Sequence, residues 1–127
     1  MSRSSILTEQ APQPIGPYAQ AVRVGNTVYL SGQVALDPAT GKLVDGDIAA
    51  QTQRIFDNLA AVCTAAGGSL AQLARVGIYL TDLGNFAAVN AVMKQRFSEP
   101  YPARSTIGVS QLPLNAQVEI DAILVID

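Results

Sequence analysis

The sequence predicts a single α+β domain, residues 1–127, in which a mixed β-sheet has two helices on one face. Its 127 residues are the length of one domain. Two segments have the helical repeat of apolar residues, and about five have the alternation typical of β-strands. The predicted order is two strands, a helix, a strand, a helix and two strands.

A β-hairpin is predicted at residues 18–34. Residues 1–17 carry several closely spaced prolines, so we expect them to be irregular. Residues 18–24 and 27–34 have strand character, and Gly25-Asn26 between them is typical of a two-residue turn. Ser31-Gly32 lies inside the second strand, which predicts a bulge or a close backbone approach there.

Two amphipathic helices follow. Asp47 is a suitable N-cap for a helix that begins at Ile48. Apolar or small residues recur every three or four positions as far as Ala66, and Gly67-Gly68 ends the helix. The second helix is predicted over residues 85–97. Its apolar side is formed by Phe86, Val89, Met93 and Phe97.

Three further strands are predicted at residues 74–80, 103–111 and 118–126. The last strand is apolar on both faces after Asp121, so we expect both faces to be covered. Two helices cover only one face of such a sheet, and a second copy of the chain is the expected cover for the other. The charged fraction of 14%, against about 25% in typical domains, also favours a homo-oligomer.

Composition excludes several function classes. With no His and one Cys, the chain cannot build a Cys/His zinc site, an internal disulfide or a Ser-His-Asp triad. Cys63 is predicted to be a buried small apolar residue. The net charge of −2 without a basic cluster argues against nucleic acid as a partner. We expect no membrane partner and a cytoplasmic location, because neither a signal-length nor a membrane-length apolar stretch is visible.

Glu119 is the strongest candidate for proton transfer. It lies between Val118 and Ile120 in a strand that looks buried. Burial of a carboxyl group raises its pKa, which suits a proton shuttle near neutral pH. The alternative is a structural Glu at an open edge or in a salt bridge between subunits.

Other candidates are binding residues. Arg104 offers a planar fork for a carboxylate, although a surface Arg paired with an acid is the alternative. Tyr18 could orient a polar ligand or pack at a strand start, and Ser31-Gly32 could present a hydroxyl and an amide or only twist the strand. Asn90, a mediocre helix former, is expected to hydrogen-bond to something, if only a nearby loop.

Together these stretches resemble a known family over about residues 15–126. The blocks that carry the resemblance are Ile15-Gly16-Pro17-Tyr18, Tyr29-Leu30-Ser31-Gly32-Gln33, Asp82-Leu83-Gly84-Asn85-Phe86, Tyr101-Pro102-Ala103-Arg104-Ser105-Thr106-Ile107, Leu112-Pro113 and Val118-Glu119-Ile120-Asp121-Ala122. The pattern is similar to that of the Rid family, the YjgF-like reactive intermediate deaminases, and most similar to its RidA branch.

The resemblance implies a chorismate-mutase-like (YjgF-like) fold and a homotrimer with an inner barrel and ligand clefts between subunits. The implied activity is hydrolysis of 2-imino acids, or of their enamine tautomers, to 2-oxo acids and ammonia. Pyridoxal-phosphate-dependent dehydratases would supply these substrates. The resemblance also implies that no cofactor and no metal is needed.

It further implies roles for individual residues. Arg104 would bind the substrate carboxylate, and Glu119 would hold or activate water or relay a proton to the departing nitrogen. Tyr18, Ser31, Gly32, Asn90 and Thr106 would line the cleft, Gly32 and Thr106 through the backbone.

Three alternatives stay open at this point. A non-catalytic trimer could bind small carboxylates such as 2-oxo acids as a regulator, in which case Glu119 would be dispensable. An endoribonuclease is disfavoured by the acidic composition. A chaperone-like holdase has no support in the sequence.

Overall fold

The computed structural model describes residues 2–127 as a six-stranded mixed sheet with two helices on one face. The elements are β1 (Ser4–Ile6), β2 (Ala21–Val24), β3 (Thr27–Gln33), α1 (Ile48–Ala65), β4 (Leu73–Leu80), α2 (Phe86–Arg96), β5 (Ala103–Gly108) and β6 (Val118–Val125). The sheet order is β1-β2-β3-β6-β4-β5, with β4 and β5 parallel and the other pairs antiparallel. The predicted α+β class and helix placement are confirmed.

The prediction that residues 1–17 are wholly irregular is wrong. Ser4–Ile6 forms β1, which pairs antiparallel with β2. This segment of three residues, two of them serines, is too short to show the alternation of polar and apolar residues that predicts a strand. It becomes extended because it pairs with the open hydrogen-bonding edge of β2. Two bounds differ by three residues, because β2 begins at Ala21 and β5 ends at Gly108, and the other bounds agree to within one residue.

The predicted helix signals of α1 are confirmed. The Asp47 carboxylate accepts a hydrogen bond from the Ala50 amide at 2.9 Å, which satisfies one of the free amides of the first turn. The chain leaves the helix at Gly67, whose φ of +93° favours glycine. The helix α2 is preceded by one 3₁₀ turn at Leu83–Asn85.

The hydrophobic core lies between the sheet and the helices. Alternate residues of β6 point into it, and one side of α1 packs on β3 and β6. The fully buried side chains of α1 include Ile55, Phe56, Leu59 and Val62. Cys63 is also buried, and burial raises its pKa to about 12. This confirms that it is a packing residue, since the thiolate is the reactive form.

The opposite face of the sheet, here called the open face, has neither helix on it. Tyr29 and Val125 on this face are 52% and 41% exposed. Ile123 and Glu119 are only partly buried. That a second copy covers this face remains a prediction for a single chain. Among residues 2–127, no helix is long and apolar enough to cross a membrane.

Candidate active site

The strand register places Arg104 and Glu119 on opposite faces of the sheet. Arg104 of β5 is opposite Val76 of β4, which is fully buried under the helices. Glu119 of β6 is opposite Tyr79, the strand neighbour of the buried Ile78. Residues opposite each other share a face, and successive residues alternate. Arg104 therefore lies on the helix face and Glu119 on the open face.

Neutral groups hold Arg104 at the edge of the helix layer. Its Nη1 donates a hydrogen bond to Asn90 Oδ1 at 2.5 Å and lies 3.5 Å from the sulfur of Met93. Its guanidinium carbon is 5.1 Å from the centre of the Phe86 ring, a cation–π contact. Within residues 2–127, no carboxylate lies within 4.0 Å of this guanidinium. The surface ion-pair alternative for Arg104 is therefore wrong within the chain, and the hydrogen bond expected of Asn90 is confirmed.

A cavity of about 370 Å³ opens beside this guanidinium. The residues that line it are Asn90, Met93, Lys94, Tyr101, Pro102 and Arg104. Sequence reasoning missed Lys94, although its position four residues after Asn90 puts both on one side of a helix. The cavity thus presents two cations and a hydroxyl, which suits a small anionic ligand.

Phe86 departs from its expected place in the core. Val89, Met93 and Phe97 are buried as predicted, whereas Phe86 is 40% exposed. As the first residue of α2 it lies beside Arg104, where its ring contacts the cation. Its apolar surface therefore supports the binding side chain.

Thr106 lies two residues after Arg104 and shares its face of β5. Its register partner is Ile78, which is fully buried. The Thr106 Oγ1 atom is buried and has no hydrogen-bond partner among residues 2–127. Burial of a hydroxyl without a hydrogen-bond partner is costly, so this side chain destabilises the isolated chain.

On the open face, a bulge in β3 makes room for Glu119. Leu30 pairs with Ala122 and Gln33 with Ile120, so two residues stand opposite one. The bulge predicted at Ser31-Gly32 is confirmed. A Cβ atom at Gly32 would overlap the Glu119 carboxylate. The absence of a side chain at Gly32 therefore lets the Glu119 carboxylate occupy this place across the neighbouring strand.

The bulge also positions the segment that contains Tyr18. The Ser31 hydroxyl donates to the Ala19 carbonyl at 2.6 Å, and the Ser31 amide donates to the Gln20 carbonyl at 2.9 Å. Tyr18 is 51% exposed. Tyr18, Gly32 and Glu119 all line one cavity of about 90 Å³.

The surroundings of Glu119 favour its neutral form. Partial burial raises the pKa of this carboxyl group, and the negative charge of Asp121 raises it further. The raised pKa predicted for Glu119 is thus confirmed in direction. Within residues 2–127, no three His, Cys, Asp or Glu side chains form a group that could hold a metal ion.

The predicted site residues therefore form two separate half-sites in one chain. The arginine half-site contains Arg104, Asn90 and Thr106 on the helix face. The glutamate half-site contains Tyr18, Ser31, Gly32 and Glu119 at the bulge.

Comparisons with known proteins give matches over nearly the whole chain. A family model described as endoribonuclease L-PSP matches residues 8–126. The 2-iminobutanoate/2-iminopropanoate deaminase of Dermatophagoides farinae is 50% identical over 96% of this chain and 95% of that protein. The crystal structure of RidA from an Antarctic Psychrobacter species has a TM-score of 0.94 at 48% identity, covering 97% of this chain and 99% of that one. E. coli TdcF with bound serine has a TM-score of 0.91 at 36% identity, covering 98% and 99%.

Proposed function

Because the chain belongs to the Rid (YjgF-like) family, whose model is described as endoribonuclease L-PSP, we propose that it hydrolyses reactive 2-imino acids. The substrates are small, such as 2-iminobutanoate and 2-iminopropanoate or their enamine tautomers, and the products are 2-oxo acids and ammonia. Relatives from mite and cattle carry names for this activity. The observation that carries the proposal is Arg104, a guanidinium held by neutral groups and facing a cavity.

The half-sites meet only between two copies of the chain. One sheet separates Arg104 from Glu119, so a single chain cannot present both to one small substrate. We propose a homotrimer in which the open faces form an inner barrel and each cleft takes Arg104 from one copy and Glu119 from the next. The exposed Tyr29 and Val125 of the open face support burial of this kind.

In this cleft Arg104 binds the substrate carboxylate. Two parallel hydrogen bonds from a guanidinium fix both position and orientation. Asn90, Met93 and Phe86 occupy parts of the guanidinium surface, and its remaining N–H groups have no hydrogen-bond partner within the described chain. The bound serine of TdcF, a small molecule with an α-carboxylate, supports a small ligand that carries a carboxylate.

Glu119 acts first as general base and then as general acid. Water adds to the electrophilic imine carbon, forming a C–O bond as the C=N π electrons move to nitrogen. Glu119 as carboxylate accepts a proton from this water, and as carboxylic acid it returns the proton to nitrogen. The second water proton then passes to nitrogen, the C–N bond breaks as the carbonyl forms, and neutral ammonia leaves. A carboxyl group with a raised pKa can serve in both steps.

The other residues of the half-sites shape the cleft. We propose that Tyr18 and Ser31 orient the substrate from the glutamate half-site, together with the Gly32 amide. Thr106 lines the arginine half-site through its backbone. None of these steps calls on a cofactor or a metal. The substrates arise where pyridoxal-phosphate-dependent dehydratases act on threonine or serine, which makes such enzymes the expected functional partners.

A coupled assay tests the proposal. A threonine dehydratase with threonine generates 2-iminobutanoate in solution, and 2-oxobutanoate formation is followed with and without this protein. We expect wild type to accelerate product formation and Glu119→Ala to fail. Asp45→Ala, which removes an exposed acid that lines neither of these cavities, should behave like wild type.

The alternatives give different results in the same experiment. A carboxylate-binding regulator would bind 2-oxobutanoate without accelerating its formation. An endoribonuclease would cleave RNA in an Arg104- or Glu119-dependent way, which the net charge of −2 disfavours. Size-exclusion chromatography with light scattering reports the trimer separately from the activity.

A further inference from the structure

A second acid, Asp121, lies beside Glu119 on the open face. The two are separated by one residue of β6, so their Cα atoms are about 7 Å apart. Tyr79 is the register partner of Glu119, yet its hydroxyl donates a hydrogen bond to Asp121 Oδ2 at 2.9 Å. The tyrosine thus reaches diagonally across the strands and fixes the second carboxylate.

Gly77 provides the space for this arrangement. It is the register partner of Asp121. A Cβ atom at Gly77 would overlap the Asp121 carboxylate and lie 3.0 Å from the Tyr79 hydroxyl oxygen. Gly32 does the same for Glu119. Each acid of β6 therefore lies over a glycine of a neighbouring strand, Glu119 over β3 and Asp121 over β4.

We propose that Asp121, fixed by Tyr79 above Gly77, is a positioning residue that holds a second negative charge beside Glu119 and so controls proton transfer by that acid. The inference rests on the proposed function, because it assigns Asp121 a part in the same proton transfer. Asp121 touches no substrate in this scheme and acts only through Glu119.

Among the charged and titratable groups that face the pair, Asp121 is the negative charge beside Glu119. From β4, Arg75 and Tyr79 face the pair, and from β3 Tyr29 lies on the same face. Tyr18 shares the cavity of Glu119, and β5 contributes no titratable group to this face. The Tyr79 pKa is raised, chiefly by its hydrogen bond to Asp121, so its hydroxyl stays protonated. Within residues 2–127, no cation lies within 4.0 Å of either carboxylate.

Carbon-13 NMR of the glutamate carboxyl groups tests this directly. The chain has only Glu9, Glu99 and Glu119, so protein labelled at glutamate Cδ gives three signals. Glu119→Gln identifies the signal of Glu119 by its loss. We expect the titration midpoint of Glu119 to lie above the ordinary glutamate value of 4.5.

The decisive comparison removes the charge of Asp121 and keeps its shape. In Asp121→Asn the side-chain carbonyl can still accept from Tyr79, and the Glu119 midpoint should move to lower pH. Asp121→Glu, which keeps the charge, should stay nearer wild type. Asp45→Asn, which removes an exposed acid from a loop, should leave the midpoint unchanged. An unchanged midpoint in Asp121→Asn would overturn the proposal.

The rate of the coupled reaction separates this inference from the proposed function. The limb of the kcat/KM profile assigned to Glu119 should move to lower pH in Asp121→Asn along with the NMR midpoint. Turnover by wild type with an unmoved midpoint would reject the role of Asp121 alone. A moved midpoint without turnover by wild type would reject the deaminase and, with it, any catalytic purpose of the pair.

Discussion

The arginine half-site carries a fixed charge, whereas the glutamate half-site carries a charge that can be lost by protonation. Arg104 is surrounded by an amide, a thioether and an aromatic ring, so its positive charge is fixed in place and not neutralised. Glu119 is partly buried next to another acid, so its charge can be gained and lost. Binding a carboxylate needs a permanent charge, whereas proton transfer needs a titratable group.

The sheet keeps these two requirements apart within each chain. An ion pair between Arg104 and Glu119 would lower the pKa of the acid and occupy the guanidinium. Their placement on opposite faces prevents this in the isolated chain. Only a substrate cleft between copies would bring them near each other, with the ligand between them.

The largest effect is expected from Arg104. Arg104→Ala should lower kcat/KM for imine hydrolysis by roughly 10²–10⁴-fold, because two charged hydrogen bonds contribute about 1.5–3 kcal/mol each. Arg104→Lys should also fail badly, since a point charge cannot replace the planar fork. Both are measured in the coupled assay, with light scattering to verify that the trimer survives.

Lys94 offers a matched control for this result. It lines the same cavity as Arg104, so Lys94→Ala removes a positive charge without removing the fork. A loss equal to that of Arg104→Ala would show that general positive charge, and not the guanidinium, binds the substrate. Retained activity in Arg104→Ala would reject its assigned role.

Gly32→Ala tests the other half-site by displacing Glu119 without removing it. The new Cβ atom would overlap the carboxylate, and a displacement on the order of 1 Å can cost about 10²-fold in rate. We expect the loss mainly in kcat, because Arg104 is on the other face. Steady-state kinetics of the variant separate the change in kcat from the change in KM. A loss confined to KM would instead place the carboxylate binding at the bulge.

Mixing two inactive variants tests whether the half-sites come from different chains. Arg104→Ala and Glu119→Gln should each be inactive alone. Trimers reassembled from an equal mixture should recover about a quarter of wild-type activity, because each cleft then has one chance in four of receiving both intact residues. Activity is measured after joint unfolding and refolding, with each variant refolded alone as control. No recovery from properly formed mixed trimers would mean that one chain supplies both residues.

Sequence reasoning identified the local features of both half-sites. The alternation around Glu119 gave its strand and its burial, and the pair Ser31-Gly32 gave the bulge. The hydrogen bond of Asn90 was expected, but its partner Arg104 was not. That contact depends on how α2 crosses β5, which no local pattern specifies.

Long-range pairing explains the features that were missed. Tyr79 meets Asp121 because β6 inserts between β3 and β4. The spacing of Glu119 and Asp121 already placed both on one face, so Asp121 could have been found by the period of two residues. That Arg104 and Glu119 lie on opposite faces needs the complete register, which only the folded chain provides.

The smallest expected effect is a pH-dependent difference in stability between the half-sites. Because the pKa of folded Glu119 is raised above its ordinary 4.5, the stability it contributes is present below pH 4.5 and lost as the pH rises through the raised value. The urea midpoint of Glu119→Gln should therefore rise relative to that of wild type as the pH rises through this range. Both proteins are measured at one fixed protein concentration. Arg104→Gln should differ from wild type by the same amount throughout, since arginine stays charged. The opposite result would be a urea midpoint of Glu119→Gln that falls relative to wild type as the pH rises. It would mean that a cation in the assembled protein stabilises the Glu119 carboxylate, so that Glu119, like Arg104, carries a fixed charge.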